Sequence, residues 1–132
     1  MTQPLSKRIL LAEDDGSMRS FLDLMLQRAG YDVIACEDGA VALKFLEEFG
    51  EAQHCDLLLT DVVMPNMDGI ELTQKALALY PHLKVLYITG FAAVESTPSV
   101  SKSDENLSQI IPKPFHINEL LEKIAKTLEI AS

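Results

Sequence analysis

Four short apolar runs in this chain each stop at a group of different chemistry: ILLA runs into Glu13, Asp14 and Asp15, LLLT into Asp61, VLYI into Thr89, and IIP into Lys113. Runs of this length suit buried strands, and the longer stretches between them carry apolar residues at helical spacing. Strands alternating with helices predict a parallel sheet, because parallel neighbours need a crossover and that crossover is usually a helix. The strands of such a sheet end together along one edge, where open α/β sheets place their ligands. The acids, the hydroxyl and the ammonium are therefore expected in one site.

The elements can be placed along the chain. RILLA (8–12) is the first strand, followed by a helix with Met18, Phe21, Leu22, Met25, Leu26 and Ala29 on its inner stripe, Ser17 as a candidate N-cap, Asp15 as a corner or capping residue before it, and Gly30 as the left-handed residue that ends it. YDVIAC is a second strand, and a second helix from Asp38 turns Val41, Ala42, Phe45, Leu46 and Phe49 inward before Gly50. DLLLT is apolar enough for a central strand covered on both faces. The loop VVMPNMDG leads to a third helix, which Asp68 and Glu71 open as a capping box. LKVLYI is the fourth strand and QIIP a short edge strand. The Ser-rich stretch between them predicts a short or irregular helix over 92–108, and Ile117, Leu120, Leu121, Ile124 and Leu128 form the stripe of the last helix. The fold class these elements predict is a doubly wound parallel α/β sheet of five strands alternating with about five helices.

At 132 residues and 48% hydrophobic content the chain is expected to be a single domain over 1–132 with no output domain. A net charge of -9 without clustered Lys or Arg excludes a nucleic-acid surface. MTQPLSKR has no apolar signal core and no run is long enough to cross a bilayer, so a cytoplasmic location without membrane insertion is expected. Cys36 and Cys55 have no metal-ligand spacing, and His54, His82 and His116 are expected at the surface.

Carboxylates brought together from separate strands repel by roughly 4 kcal/mol per pair at 4 Å when the effective dielectric is near 20. A hard cation removes that penalty, and an incomplete set of oxygen ligands suits Mg²⁺, which keeps waters and adds phosphate oxygens. Lys113 complements a phosphate as a point charge, and Thr89 can donate a hydrogen bond to it. Asp61, closing the central strand, is the best nucleophile for a phosphoryl group, while the cluster at Glu13 and Asp14 is better placed to hold metal.

LLAEDD, LLLTDVVMPNMDG, LYITG and KPF together resemble the receiver domain of bacterial two-component response regulators, over essentially the whole chain. The resemblance implies that Asp61 accepts a phosphoryl group from the phosphohistidine of a histidine kinase or histidine phosphotransferase. It also implies that Glu13, Asp14, Asp61 and the Val63 backbone carbonyl bind Mg²⁺, that Thr89 and Lys113 contact the phosphate, and that the Lys113–Pro114 peptide is cis. The resemblance further implies a flavodoxin-like fold with strand order 2-1-3-4-5, and a phosphoacceptor switch rather than an enzyme. AEDDGSMRSFL, YDVIACEDG, LKVLYITGFAAV and KPFHINEL look more narrowly like the stand-alone CpdR type of alphaproteobacteria. This implies an adaptor associated with the cell pole that, when unphosphorylated, directs ClpXP-dependent proteolysis in the cell cycle.

Two positions depart from the receiver pattern. Ile110 occupies the place of a common Tyr or Phe, so a swinging-aromatic switch is not expected there; Asn66 replaces the commoner Gly in a turn. Thr89, Gly90, Phe91 and Ile110 are the expected switch residues, and Phe91 and Val63 are expected to restrict water attack on the acyl phosphate. A phosphorelay intermediate and a motility-type receiver are alternatives. A metal-dependent phosphatase fits less well, because Val63 stands where related phosphatases place a second Asp.

Overall fold

A computed structural model describes residues 7–49, 55–89 and 110–130. The elements are β1 (Arg8–Ala12), α1 (Gly16–Arg28), β2 (Asp32–Cys36), α2 (Gly39–Glu48), β3 (Leu57–Asp61), α3 (Gly69–Leu79), β4 (Lys84–Thr89), β5 (Ile110–Pro112) and α4 (Ile117–Ile130). The five strands are parallel in the order β2-β1-β3-β4-β5, as expected. Four helices lie among the described residues; the fifth expected, over 92–108, falls outside them, as do Gly50, His54, Gly90 and Phe91.

Strand periodicity divides the core into two layers. Ile9, Leu11, Leu57, Leu59, Leu86, Ile88 and Ile111 face one side, where Leu22 and Leu26 of α1 and Leu120, Ile124 and Leu128 of α4 cover them. Leu10, Ala12, Leu58, Val85, Tyr87 and Ile110 face the other, against Ala42 and Leu46 of α2 and Leu72 and Ala76 of α3. Every residue of β3 is buried, Thr60 and Asp61 included, as expected of a central strand covered on both faces. His82 and His116 are exposed. No described helix is long and apolar enough to cross a membrane.

Two helical stripes are narrower than their spacing suggests. Phe21 of α1 is 46% exposed and Phe45 of α2 is 37% exposed. Each lies at the border of its stripe, where Leu22 and Leu46 take the inward position. Phe45 remains in contact with Phe49, ring centroids 6.4 Å apart, and Arg8 sits 5.5 Å over the Phe49 ring. The N-cap of α1 is Asp15, not Ser17: its Oδ1 accepts from the amides of Ser17 (2.9 Å) and Met18 (3.2 Å). A carboxylate outcompetes a hydroxyl here because it satisfies two orphan amides and also meets the positive end of the helix dipole. Gly30 has φ 101°, the left-handed conformation expected after α1. Asp68 caps α3 through the Glu71 amide at 2.8 Å.

Candidate functional site

The site forms where β1, β3 and β5 end. The buried run of β1 breaks off at Glu13, whose amide still donates to the Cys36 carbonyl at 3.0 Å, so the first acid stays on the sheet edge. Asp14 follows on the exposed turn, and Asp15 is diverted to cap α1. Asp61 is the last residue of β3 and is buried. Glu13, Asp14 and Asp61 each bring a carboxylate oxygen within 4.8 Å of the other two.

Lys113 follows β5 and reaches back into this cluster. Its Nζ lies 2.9 Å from Asp61 Oδ2 and 3.2 Å from Glu13 Oε1. The Lys113 amide donates to the Thr89 carbonyl at 2.8 Å, and the Lys113–Pro114 peptide is cis. Thr89 is fully buried at the end of β4, one residue past Ile88, which pairs with Asp61. Val63 lies two residues beyond Asp61 and is 64% exposed.

Burial dominates the electrostatics of this cluster. Glu13 is 1% exposed, and among the described residues its Oε2 has no hydrogen-bond partner. Burial, followed by the adjacent Asp61 carboxylate, pushes the Glu13 carboxyl up to about 7 against the pull of Lys113. Burial alone would lower Lys113, but Asp61 and Glu13 outweigh it and hold the ammonium above its usual range. A buried carboxylate oxygen with no donor needs either a proton or a cation. The oxygen-only donor set, partly open through Asp14, fits a hard divalent cation that retains some of its water.

The loop after Asp61 is fixed by contacts that sequence spacing did not reveal. Asn66 adopts φ 69°, and its Nδ2 donates to Asp38 Oδ2 at 2.8 Å. Asp38 Oδ1 accepts from the Val41 amide at 3.0 Å, capping α2, and this amide and then Asn66 hold the Asp38 carboxyl below its usual range. Asn66 therefore does more than replace a turn glycine: a left-handed residue with a side-chain donor ties the loop to α2. Gly69 and Gly39 permit the close approach. A Cβ on Gly69 would collide with the Asp61 carbonyl oxygen, and one on Gly39 with the Met67 carbonyl. The Gly69 amide also donates to the Val62 carbonyl at 2.8 Å.

Ile110 is buried rather than displayed. It pairs with Tyr87 across β4 and β5 and packs in the layer covered by α2 and α3, while Lys123 of α4 reaches its carbonyl at 3.3 Å. A further apolar groove of about 420 Å³ opens beside Lys113, lined by Met18, Phe21, Pro114 and Phe115.

Comparison with known proteins places this geometry. Residues 9–125 match the response regulator receiver domain model. The chain is 47% identical to the response regulator receiver protein CpdR of Brucella abortus over 92% of its own length and 97% of that protein. It is 32% identical to the sensor kinase CckA of the same organism over 94% of its length, but spans 13% of that kinase. Response regulator TrrA of Thermotoga maritima, solved in complex with Mg(2+)-BeF, superposes with a TM-score of 0.74 at 30% identity, covering 92% of this chain and 98% of TrrA. With the family model spanning most of the sequence and both acidic strand ends in place, the chain belongs to the response regulator receiver domain family of two-component systems.

Proposed function

We propose that this protein is a single-domain phosphoacceptor switch, phosphorylated on Asp61 in a histidine–aspartate phosphorelay. The observation that carries this is the ammonium of Lys113 bridging Asp61 and Glu13 across 2.9 and 3.2 Å beside a buried carboxylate oxygen that lacks a donor. Glu13, Asp14, Asp61 and the Val63 carbonyl would hold Mg²⁺. Bound there, the ion neutralises charge on the carboxylates and the incoming phosphoryl group.

An Asp61 carboxylate oxygen attacks the phosphorus of a phosphohistidine on a histidine kinase or phosphotransferase. The P–N bond breaks with its electron pair returning to the imidazole nitrogen, and a P–O bond forms an acyl phosphate. Lys113 exchanges one carboxylate partner for a phosphate oxygen, and the Thr89 hydroxyl donates to another. About 1.5 to 2 negative charges arrive in an acidic site, and the redistribution of Lys113 and Thr89 biases the switch residues Thr89, Gly90, Phe91 and Ile110.

Similarity to CpdR, over nearly all of both chains, supports a finer reading: an adaptor that, unphosphorylated and pole-associated, primes a ClpXP protease to degrade selected substrates. Phosphotransfer with Mg²⁺ from candidate kinases is expected to label wild type and not Asp61→Asn; labelling of both refutes the site. Pull-down of Asp61→Ala against phosphodonor-treated wild type tests the output. Enrichment of a protease component on the variant supports the adaptor, and a histidine phosphotransferase alone supports a relay intermediate.

A further inference from the structure

We propose that Arg19 is a positioning residue for cation binding, holding the acidic turn in its ligating shape through the main chain. The inference rests on the proposed Mg²⁺ site and names a residue outside it. Arg19 stands in the second turn of α1, half-buried, and its Nη1 donates to the Glu13 carbonyl at 2.9 Å, with a longer contact to the Asp14 carbonyl at 3.5 Å. The guanidinium folds back over the turn, since a Cβ on Gly16 would stand 3.7 Å from Nη2. Among the described residues it forms no ion pair, although Glu13, Asp14 and Asp15 all lie in the turn it covers.

That choice of partner matters. An Arg paired with a carboxylate would occupy the oxygens a cation needs, whereas an Arg on the carbonyls leaves them open and fixes the peptide planes on either side of Asp14. Asp14 is exposed, so the set of its backbone is what orders its carboxylate before a ligand arrives. An ordered donor loses less conformational freedom on binding, and outer contacts that orient metal ligands commonly change affinity by about 10-fold or more when removed.

Charge and geometry predict opposite signs. As a cation near the site, Arg19 would repel a divalent ion, so its removal would tighten binding; as an anchor of the turn, its removal weakens binding. Isothermal titration of the metal-free full chain with Mg²⁺ separates the two. Arg19→Met keeps the aliphatic stem over Gly16 and is expected to bind Mg²⁺ about 10-fold more weakly than wild type. Arg19→Lys, which retains one donor and the charge, is expected to recover most of the loss. The melting temperature of metal-free Arg19→Met should change by only a few degrees, as for a partly exposed hydrogen bond. Equal or tighter Mg²⁺ binding by Arg19→Met overturns the inference and leaves the metal site standing. Wild type that binds no Mg²⁺ overturns both. If Arg19→Met does not fold, Arg19→Ala carries the same two outcomes.

Discussion

Replacing Glu13 by Gln should make the metal-free protein more stable at neutral and alkaline pH, although it deletes a residue of the candidate site. Glu13 is buried, one of its oxygens lacks a donor, and its carboxyl is pushed from 4.5 to about 7, first by burial and then by Asp61. The sign is opposite to that of a salt-bridged acid. Between these two values the folded protein binds a proton that the unfolded chain has released, so stability falls as pH rises through the window. At about 1.4 kcal/mol per pH unit, the full shift corresponds to roughly 3 kcal/mol by pH 8. Lys113, raised from 10.5, and Asp38, lowered from 3.8, change their contributions outside this interval.

The glutamine of the Glu13→Gln variant carries no charge, and its amide can accept from Lys113 and donate to Asp61. His82 and His116 are common to both proteins and cancel in the comparison. In EDTA, melting curves followed by circular dichroism from pH 5 to 8 should show Glu13→Gln gaining on wild type by about 10 °C, using about 3 to 4 °C per kcal/mol for a domain of this size. Saturating Mg²⁺ should close most of that gap by stabilising wild type and not the variant. Parallel melting curves across the pH range would refute the assignment of a destabilising buried carboxylate.

Other substitutions test how the loop after Asp61 is held. Gly69→Ala places a Cβ against the Asp61 carbonyl oxygen and should cost about 2 kcal/mol or more in urea unfolding, with slower phosphotransfer to Asp61. Asn66→Val combines a β-branched residue at φ 69° with loss of the Asp38 bond and should cost about 2 to 3 kcal/mol, whereas Asn66→Gly, which relaxes the backbone, should cost about 1 kcal/mol or less. Tyr80→Phe deletes the 2.6 Å bond from the hydroxyl to the Leu46 carbonyl that joins α3 to α2 and should cost about 1 kcal/mol with an unchanged denaturant slope.

What was legible in the sequence follows from the range of the interactions. The apolar runs of β1, β3 and β4 and the cap at Asp68 are local signals, and their alternation with helices predicts a parallel sheet, while its strand order is carried by the family resemblance. The same local logic leaves the α1 cap open: Ser17 and Asp15 are both good caps, and only the geometry of the turn decides for Asp15. Phe21 and Phe45 fall on the apolar stripes yet stay partly exposed, because helical periodicity gives the direction of a stripe but not how far the sheet beneath it extends.

The converging strand ends were visible as a list of chemistries, but the bonds that set their behaviour were not. Lys113 meets Glu13 across 100 residues of sequence, and Asn66 meets Asp38 across 28. These ties have different characters. Lys113 sits between two carboxylates and can be redirected by any anion that competes for it, at a cost limited by its partial exposure. Asn66 instead joins a buried helix cap through a left-handed backbone, and yielding there would leave Asp38 buried with an unmet oxygen. The β3–α3 loop is thus the fixed wall of the site and the Lys113 ammonium its responsive part. A change of charge at Asp61 is therefore transmitted most easily toward β4 and β5, where the Lys113 amide and the Thr89 carbonyl are already joined at 2.8 Å.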